Sequence, residues 1–186
     1  AAQRAPAEAL LARGDAAGFT QALRQLERAA AKGDVASHAR LGKLHFLGTP
    51  LLTRDARKAW QHLSFAAKRQ DPAASFYQGL MLRDGFGIAA DNAAAARCFA
   101  VAAQRQFPAA MFLLANAYRD GDGVPRNEGR ALALYRAAAE LDHAPSAQAL
   151  ALAYQNGELG LTRDEGEAGR YAHEAEHALK HASPQL

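Results

Sequence analysis

The segment His173-Glu174-Ala175-Glu176-His177 has the spacing of a zinc-hydrolase motif, and its residue types could do chemistry. On a helix, histidines four residues apart share one face and can bind zinc, while the neighbouring glutamate activates a zinc-bound water. His181 continues that face, but positions i, i+4 and i+8 span about 12 Å at ~1.5 Å per residue, which is too far for one ion. We therefore expect a solvated helix face without metal. A zinc metallohydrolase that uses His173, Glu174 and His177 is the alternative from another functional class.

Other residues with chemical potential have simpler structural explanations. The segment Asp120-Gly121-Asp122-Gly123 looks like the start of a calcium loop, but the sequence lacks the twelve-residue ligand spacing and its terminal glutamate. For Cys98, the single cysteine, a buried side chain is favoured over a reactive thiol, because cysteine is among the most buried residue types. The remaining histidines share no spacing with acids or a nucleophile: His38, His45, His62 and His143. No catalytic residue, cofactor or metal ligand is predicted.

The composition favours a helical protein that neither inserts into membranes nor binds nucleic acid. Alanine makes up about a quarter of the 186 residues and β-branched residues are sparse, so helix propensity is high along the chain. The net charge is +3, but arginines and acidic residues are interspersed instead of forming a basic block. No stretch approaches the ~18 apolar residues of a membrane helix. The start Ala1-Ala2-Gln3 leads us to expect an exported, periplasmic protein, with the cytoplasm as the alternative.

A repeat of 36 residues organises the middle of the chain. The segment Arg83-Asp84-Gly85-Phe86-Gly87-Ile88 returns 36 residues later as Arg119-Asp120-Gly121-Asp122-Gly123-Val124, and Phe99 returns as Tyr135. The pattern also continues in the segment before these two repeats and in the segment after them, with one extra loop residue in each case. Self-similarity at this period indicates a solenoid of helix-turn-helix units. Four repeats are predicted, each with a leading helix and a second helix.

Helix boundary signals recur at the same place in successive repeats. Proline stands in the first turn of three leading helices, where its missing N–H has no intrahelical partner: Pro72, Pro108 and Pro145. A short polar side chain that can cap backbone N–H groups precedes each second helix: Asp55, Asp91, Asn127 and Asp164. Gly85 and Gly121 are predicted to end leading helices, and Gly87 and Gly123 to take positive φ.

These residues resemble the Sel-one-like repeat family, a relative of the tetratricopeptide repeat. The third repeat matches the family pattern at Ala110, Leu114, Ala115, Tyr118, Gly121, Gly123, Val124, Asn127, Arg130, Ala131, Leu134, Tyr135, Ala138 and Ala139. The resemblance implies an all-α fold, a right-handed α-solenoid of helix-turn-helix repeats. We expect one solenoid domain, with an N-terminal capping helix pair at 1–33 and repeats at 34–70, 71–106 and 107–142. The fourth repeat and the C-terminal capping helix are expected at 143–186.

The outer repeats depart from the family pattern. The first and fourth repeats lack the G-x-G loop and carry Gly48-Thr49-Pro50-Leu51-Leu52 and Gly157-Glu158-Leu159-Gly160 instead, which leaves their loop shape open. In the fourth repeat the alanine pair becomes Ala175-Glu176, as expected for a capping helix whose face meets water. At the other end, Pro6–Arg13 and Ala16–Lys32 are predicted to form the opening helix pair.

The resemblance also implies a function without catalysis, namely a module that binds a partner protein and can inhibit it. Small exported members of the family include immunity proteins that neutralise secreted antibacterial effectors such as phospholipases. The abundance of alanine and arginine indicates a bacterial source. We therefore expect a bacterial, periplasmic immunity protein, with an envelope or signalling scaffold as the alternative.

Leading helices line the concave surface in superhelical relatives, so each helical position repeats as a column along that surface. The column beside the buried stripe is the predicted partner-binding groove, with two phenylalanines at its centre and polar groups around them. Its residues are Lys43, Phe76, Leu80, Arg83, Phe112, Asn116, Arg119, Gln148, Leu152 and Gln155. Two alternatives stay open: Phe76 and Phe112 pack between helices, and Arg83 and Arg119 stabilise their own Arg-Asp-Gly turns.

Overall fold

Helices provide the regular structure of the chain in a computed structural model, which describes residues 4–12 and 15–181. The ten helices of these residues are α1 (Arg4–Ala12), α2 (Ala16–Ala31), α3 (Val35–Leu47), α4 (Ala56–Ala67), α5 (Pro72–Asp84), α6 (Asn92–Gln104), α7 (Pro108–Asp120), α8 (Glu128–Ala139), α9 (Ala144–Asn156) and α10 (Glu165–His181). The predicted all-α solenoid of helix-turn-helix repeats is confirmed. The predicted opening pair corresponds to α1 and α2.

The chain divides into two compact units. Among the described residues, unit 1 ends at Ala90 and contains α1 to α5, and unit 2 begins at Asp91 and contains α6 to α10. The expectation of export, which depends on Ala1-Ala2-Gln3, falls outside the described residues, as does Arg13 at the end of the first predicted helix. Within the described part of the chain, no helix is long and apolar enough to cross a membrane.

Unit 1 buries its apolar side chains in two clusters. Leu26 and Leu41 are fully buried in a cluster formed by α1, α2 and α3. Phe46, Leu63 and Met81 belong to a second cluster formed by α3, α4 and α5. Full burial of one such side chain contributes about 1.5–3 kcal/mol, so these clusters hold the helix pairs of unit 1 together.

Unit 2 has a core cluster that joins α7, α8, α9 and α10. Tyr135 and Leu150 are fully buried at its centre, and Tyr171 on α10 is buried against it. Alanines fill much of the remaining core and allow close contact between the helices. On α10 Ala175 is buried whereas Glu176 is exposed. Glu176 replaces the second alanine of the pair found in the other repeats, and its side chain faces water as expected.

Side-chain caps start the second helix of every repeat. The side-chain oxygens of the four predicted residues accept hydrogen bonds of 2.8–3.0 Å from backbone N–H groups three residues later: Asp55, Asp91, Asn127 and Asp164. These caps are confirmed, and each is worth ~1 kcal/mol. Asp34 and Asp71 cap the leading helices α3 and α5 in the same way, which the sequence analysis did not predict.

Two loop glycines permit close approach between successive helix pairs. Gly87 has a φ of +73°, and a Cβ at this position would overlap the Cβ of Ala56 at the start of α4. Gly123 has a φ of +70°, and a Cβ there would overlap the carbonyl group of Asn92 at the start of α6. Both positions therefore need a left-handed backbone and the absence of a side chain. The predicted positive φ at Gly87 and Gly123 is confirmed.

The outer loops reach tight turns without the G-x-G sequence. In the first repeat, Gly48 has a φ of +71° and Thr49 forms an isolated bridge with Leu52. In the fourth repeat, Gly157 ends α9 in the left-handed conformation, as Gly121 ends α7. Leu159 also has a positive φ of 58°, so this loop places a residue with a side chain in the left-handed region.

Candidate protein-binding surface

A polar network joins the leading helix of the third repeat to its second helix. Tyr135 on α8 is fully buried, and its hydroxyl donates to Oδ1 of Asn116 on α7 at 2.5 Å. Nη1 of Arg119 lies 3.4 Å from the same hydroxyl. Burial raises the pKa of Tyr135, so the phenol keeps its hydrogen at neutral pH. Asn116 and Arg119 are therefore held in position by the core before any partner binds.

Arginine and aspartate form a matching pair in each of two repeats. Arg119 contacts both carboxylate oxygens of Asp120 at 2.7 and 2.8 Å, and Arg83 contacts those of Asp84 at 2.6 and 3.2 Å. The hydrogen bonds from Arg119 lower the pKa of the Asp120 carboxyl. All four residues are exposed, and an exposed pair contributes only about 0–1 kcal/mol. The pairs orient the guanidinium groups at the surface, where they can still meet a partner.

Phe112 on α7 is partly packed and partly exposed. Its ring centre lies 5.8 Å from that of Tyr135 and 5.4 Å from that of His143. The side chain packs against the core cluster of unit 2 and is half-buried. Phe112 thus combines features of both alternatives that the sequence left open.

Leu152 on α9 is the most exposed apolar side chain among the predicted groove residues. It is 49% exposed, although leucine usually lies inside a folded protein. Gln148 and Gln155 flank it at four and three residues, so they share its helix face, and both are exposed. These residues occupy the positions of α9 that correspond to Phe112, Asn116 and Arg119 on α7.

Three of the four predicted residues of unit 1 are more enclosed, whereas Arg83 is exposed. The Lys43 ammonium lies 5.8 Å from the centre of the Tyr77 ring, and burial lowers the pKa of Lys43. Phe76 is half-buried, with its ring centre 5.2 Å from that of Tyr77. Leu80 is half-buried against the core of unit 1. Whether the predicted groove binds a partner stays a prediction for all of its residues.

The segment with the spacing of a zinc hydrolase, His173 to His177, lies on α10, and its Glu174 already forms a hydrogen bond. Oε1 of Glu174 accepts a 2.6 Å hydrogen bond from Arg170. His173 and His177 are exposed, and the ring centre of His177 lies 4.4 Å from that of His181. Across residues 4–12 and 15–181, no three histidine, cysteine or acidic side chains are arranged to hold a metal ion. The carboxylate that would activate water is instead paired with a cation.

A cleft of about 580 Å³ lies beside this helix. His173, Glu174 and His177 line it together with charged residues of α8 and the following loop: Arg136, Glu140 and Asp142. Small-molecule sites are usually lined mainly by apolar side chains with a few polar groups. The charged lining of this cleft is therefore unlike that of a substrate pocket.

The other two candidate sites also have structural explanations. Asp120 pairs with Arg119, and Asp122 accepts a 2.7 Å hydrogen bond from the Asn92 amide, so the calcium-like loop has both carboxylates engaged. Cys98 is half-buried instead of fully buried. Burial raises the pKa of its thiol, which disfavours the reactive thiolate.

Three histidines that the sequence analysis set aside come together in unit 1. Nδ1 of His38 lies 3.0 Å from Nδ1 of His62, and the His45 ring centre lies 6.1 Å from that of His62. His38 and His45 are seven residues apart on α3 and therefore share a face, while His62 lies on the adjacent α4. The seven-residue spacing was the signal in the sequence, but it does not show which helix face is opposite.

Helix pairs with the same caps and loop glycines define an α-helical repeat protein related to tetratricopeptide proteins. The Sel1 repeat matches residues 35–71, 72–107, 108–143 and 144–176. This chain therefore belongs to the Sel1 repeat family. A comparison with curated proteins gave no match.

Solved structures of two bacterial proteins have the same fold. One is a protective antigen present in uropathogenic Escherichia coli strains, with a TM-score of 0.77 and 29% sequence identity over 83% of this chain. The other is a Sel1 repeat protein from Oxalobacter formigenes, with a TM-score of 0.79 and 28% identity over 85% of this chain. The matches cover 33% and 64% of those two chains, so this chain spans only part of their length.

Membership in the family supports the predicted class of function. Sel1 repeats generally mediate interactions between proteins. The family typically consists of non-catalytic interaction scaffolds.

Proposed function

We propose that this chain binds and inhibits a partner protein, as an immunity protein that neutralises a secreted antibacterial effector. Leu152 carries the proposal, because a large apolar side chain that is 49% exposed on a leading helix gains from being covered. Gln148 and Gln155 surround it with exposed polar groups. An apolar centre with a polar rim is the usual composition of a protein interface.

The neighbouring leading helix adds residues that are already fixed. Asn116 is held by Tyr135, and Arg119 is held by Asp120. Binding to side chains that are already ordered loses less conformational entropy, which favours high affinity. An inhibitor needs high affinity and no chemistry of its own, so a rigid repeat surface suits this task.

The effector that we propose is a secreted enzyme such as a phospholipase, and the proposed site of action is the periplasm. The support is the membership of this chain in the Sel1 repeat family, which includes small exported immunity proteins. Under this proposal the chain covers the active site or the substrate path of the effector. A scaffold would instead bind its partner and leave the partner's activity unchanged.

The test compares two exposed leucines on different helices. Leu152→Ala alters the proposed surface, whereas Leu179→Ala is the matched control on α10, where the leucine is 64% exposed. Proteins captured from the source bacterium by the wild type and by each variant are identified by mass spectrometry, and the affinity for the captured partner is measured by calorimetry. We expect Leu152→Ala to weaken binding at least about tenfold, equivalent to ~1.4 kcal/mol, and Leu179→Ala to leave it unchanged.

The inhibitory role has its own readout. The enzymatic activity of the purified partner should fall to background at a molar ratio of one. Full partner activity at saturating concentrations of this chain would exclude the inhibitor and favour the scaffold. Equal binding by Leu152→Ala and the wild type would exclude the surface around Leu152.

A further inference from the structure

Three histidines of unit 1 form a cluster that the proposed function does not use. The histidine cluster consists of His38 and His45 on α3 and His62 on α4. Nδ1 of His38 lies 3.0 Å from Nδ1 of His62, and the ring centres of His45 and His62 are 6.1 Å apart. Two adjacent helices are thus linked by side chains whose hydrogen bonds depend on protonation.

The contact between His38 and His62 tolerates at most one positive charge. Nε2 of His38 lies 3.1 Å from the carbonyl oxygen of Ala30 on α2, and a carbonyl only accepts, so this Nε2 carries a hydrogen. In neutral His38 the Nδ1 is then bare and accepts from Nδ1–H of His62. If one proton is added to His38, His62 can change its tautomer, and its Nδ1 then accepts from Nδ1–H of His38. A second added proton places two N–H donors against each other, and the hydrogen bond is lost.

His45 makes the cluster more costly to protonate. The residue is only 4% exposed, and its Nδ1 has no hydrogen-bond partner among the described residues. Protonated histidine has two N–H donors, so a charge here would leave a buried donor unpaired. Burial lowers the pKa of His38 and of His45, and burial with its two histidine neighbours lowers the pKa of His62 to about 4.

Charged groups around the cluster act in both directions. The carboxylates that favour protonation are Glu27 on α2, Asp34 before α3 and Asp55 before α4. The cations that oppose it are Lys58 on α4, which acts on His45 and His62, and Arg69 after α4, which acts on His38. Burial outweighs the carboxylates, since the pKa of every ring in the cluster is lowered.

We propose that the histidine cluster is a proton-sensitive latch, which holds α2, α3 and α4 together near neutral pH and releases them in mildly acidic solution. In the unfolded chain a histidine takes up a proton below about pH 6.5. The folded chain keeps His62 neutral down to about pH 4. Between these two values the unfolded state binds more protons, so the stability of the folded state falls as the pH falls. Above about pH 6.5 the full stability is present.

The single tryptophan of the chain provides the measurement. Trp60 lies on α4, two residues before His62, and packs against the core of unit 1. Urea unfolding is followed by Trp60 fluorescence from pH 7.5 to pH 4.5 in the wild type and in His62→Asn. The asparagine amide can still donate to Nδ1 of His38 but does not titrate. We expect acid to raise the unfolding equilibrium constant of the wild type up to about tenfold more per pH unit than that of the variant.

His173→Asn is the matched control, because this exposed histidine of α10 lies outside unit 1. It should unfold with the same pH dependence as the wild type. If His62→Asn and the wild type lose stability in parallel, the latch is excluded. A ring titration by NMR on the wild-type protein decides the case even if His62→Asn does not fold. A native-state midpoint near pH 6.5 for His62 would overturn the proposal, and a midpoint well below pH 6 supports it.

Discussion

The hydroxyl of Tyr135 donates a 2.5 Å hydrogen bond to the side-chain oxygen of Asn116, 19 residues earlier in the chain. The bond runs from the buried core of unit 2 to the face of α7 that carries Arg119. The corresponding residue of the second repeat, Phe99, has no hydroxyl. Tyr135 thus fills the core of the third repeat and also fixes the side chain of Asn116.

Replacement of Tyr135 by phenylalanine tests this link. Tyr135→Phe keeps the ring in the core but leaves Oδ1 of Asn116 without its donor. We expect the free energy of unfolding, measured with urea, to fall by about 1–2 kcal/mol. Tyr118→Phe is the control, because the Tyr118 hydroxyl accepts a hydrogen bond from the exposed Arg130, and the loss of stability should stay within about 0.5 kcal/mol. Equal losses in the two variants would contradict a special role for the Tyr135 hydroxyl.

Alanine substitutions at two glycines with almost the same φ distinguish the cost of steric overlap from the cost of backbone strain. Gly123 has a φ of +70°, and a Cβ there would overlap the backbone of Asn92. Gly160 has a φ of +73°, but a Cβ there would have no neighbouring atom within 4 Å. We expect Gly160→Ala to cost about 1–2 kcal/mol from strain alone. Gly123→Ala should cost at least about 1 kcal/mol more, because the added methyl group displaces the start of α6. Thermal and urea unfolding measure both, and equal losses would show that the loop moves freely.

Local signals in the sequence were sufficient for the caps of the second helices and for the loop glycines of the second and third repeats. Asp55, Asp91 and Gly123 act on backbone groups a few residues away or set their own φ, so residue type and spacing predict their roles. The contact of Tyr135 with Asn116 and the contact of His38 with His62 join different helices. They depend on which faces meet across a helix pair, and periodicity alone does not fix that rotation closely enough to predict a 3 Å contact.

The predicted groove illustrates the same limit. The repeat period identified Leu152 and Asn116 as equivalent positions on leading helices, and Gln148 as the equivalent of Phe112. It could not show that Leu152 is 49% exposed while Phe112 lies against Tyr135 and His143. The two side chains occupy different positions of the repeat and have different neighbours, and the repeat period alone does not specify those neighbours.

Removal of the two histidines on α10 should have no effect on folding. We expect the double variant His173→Ala with His177→Ala to keep the melting temperature of the wild type within about 2 °C, because both side chains are exposed. Wild-type protein purified without a tag should contain far less than one zinc ion per chain by elemental analysis, since no third ligand is arranged with His173 and His177 among the described residues. One zinc ion per chain, lost together with partner binding in the double variant, would instead support the metallohydrolase alternative.

The partial burial of Phe112 leads to a prediction with two readouts. Phe112→Ala removes contacts with Tyr135 and His143, so we expect the free energy of unfolding to fall by about 1–3 kcal/mol. Phe99→Ala is the comparison, because Phe99 is 3% exposed and should cost about 3–5 kcal/mol. The exposed part of the Phe112 ring should also contribute to partner binding, with at least a tenfold loss of affinity in the variant, or ~1.4 kcal/mol.

Affinity for the captured partner is compared under conditions where each variant is fully folded, so that the two readouts do not mix. Phe99→Ala should then bind as the wild type does, because a buried side chain cannot touch the partner. If Phe112→Ala loses as much stability as Phe99→Ala and keeps its affinity, Phe112 belongs to the core alone. The binding surface of unit 2 would then be reduced to the exposed residues around Leu152, and the column predicted from the repeat would not be an interface along its whole length.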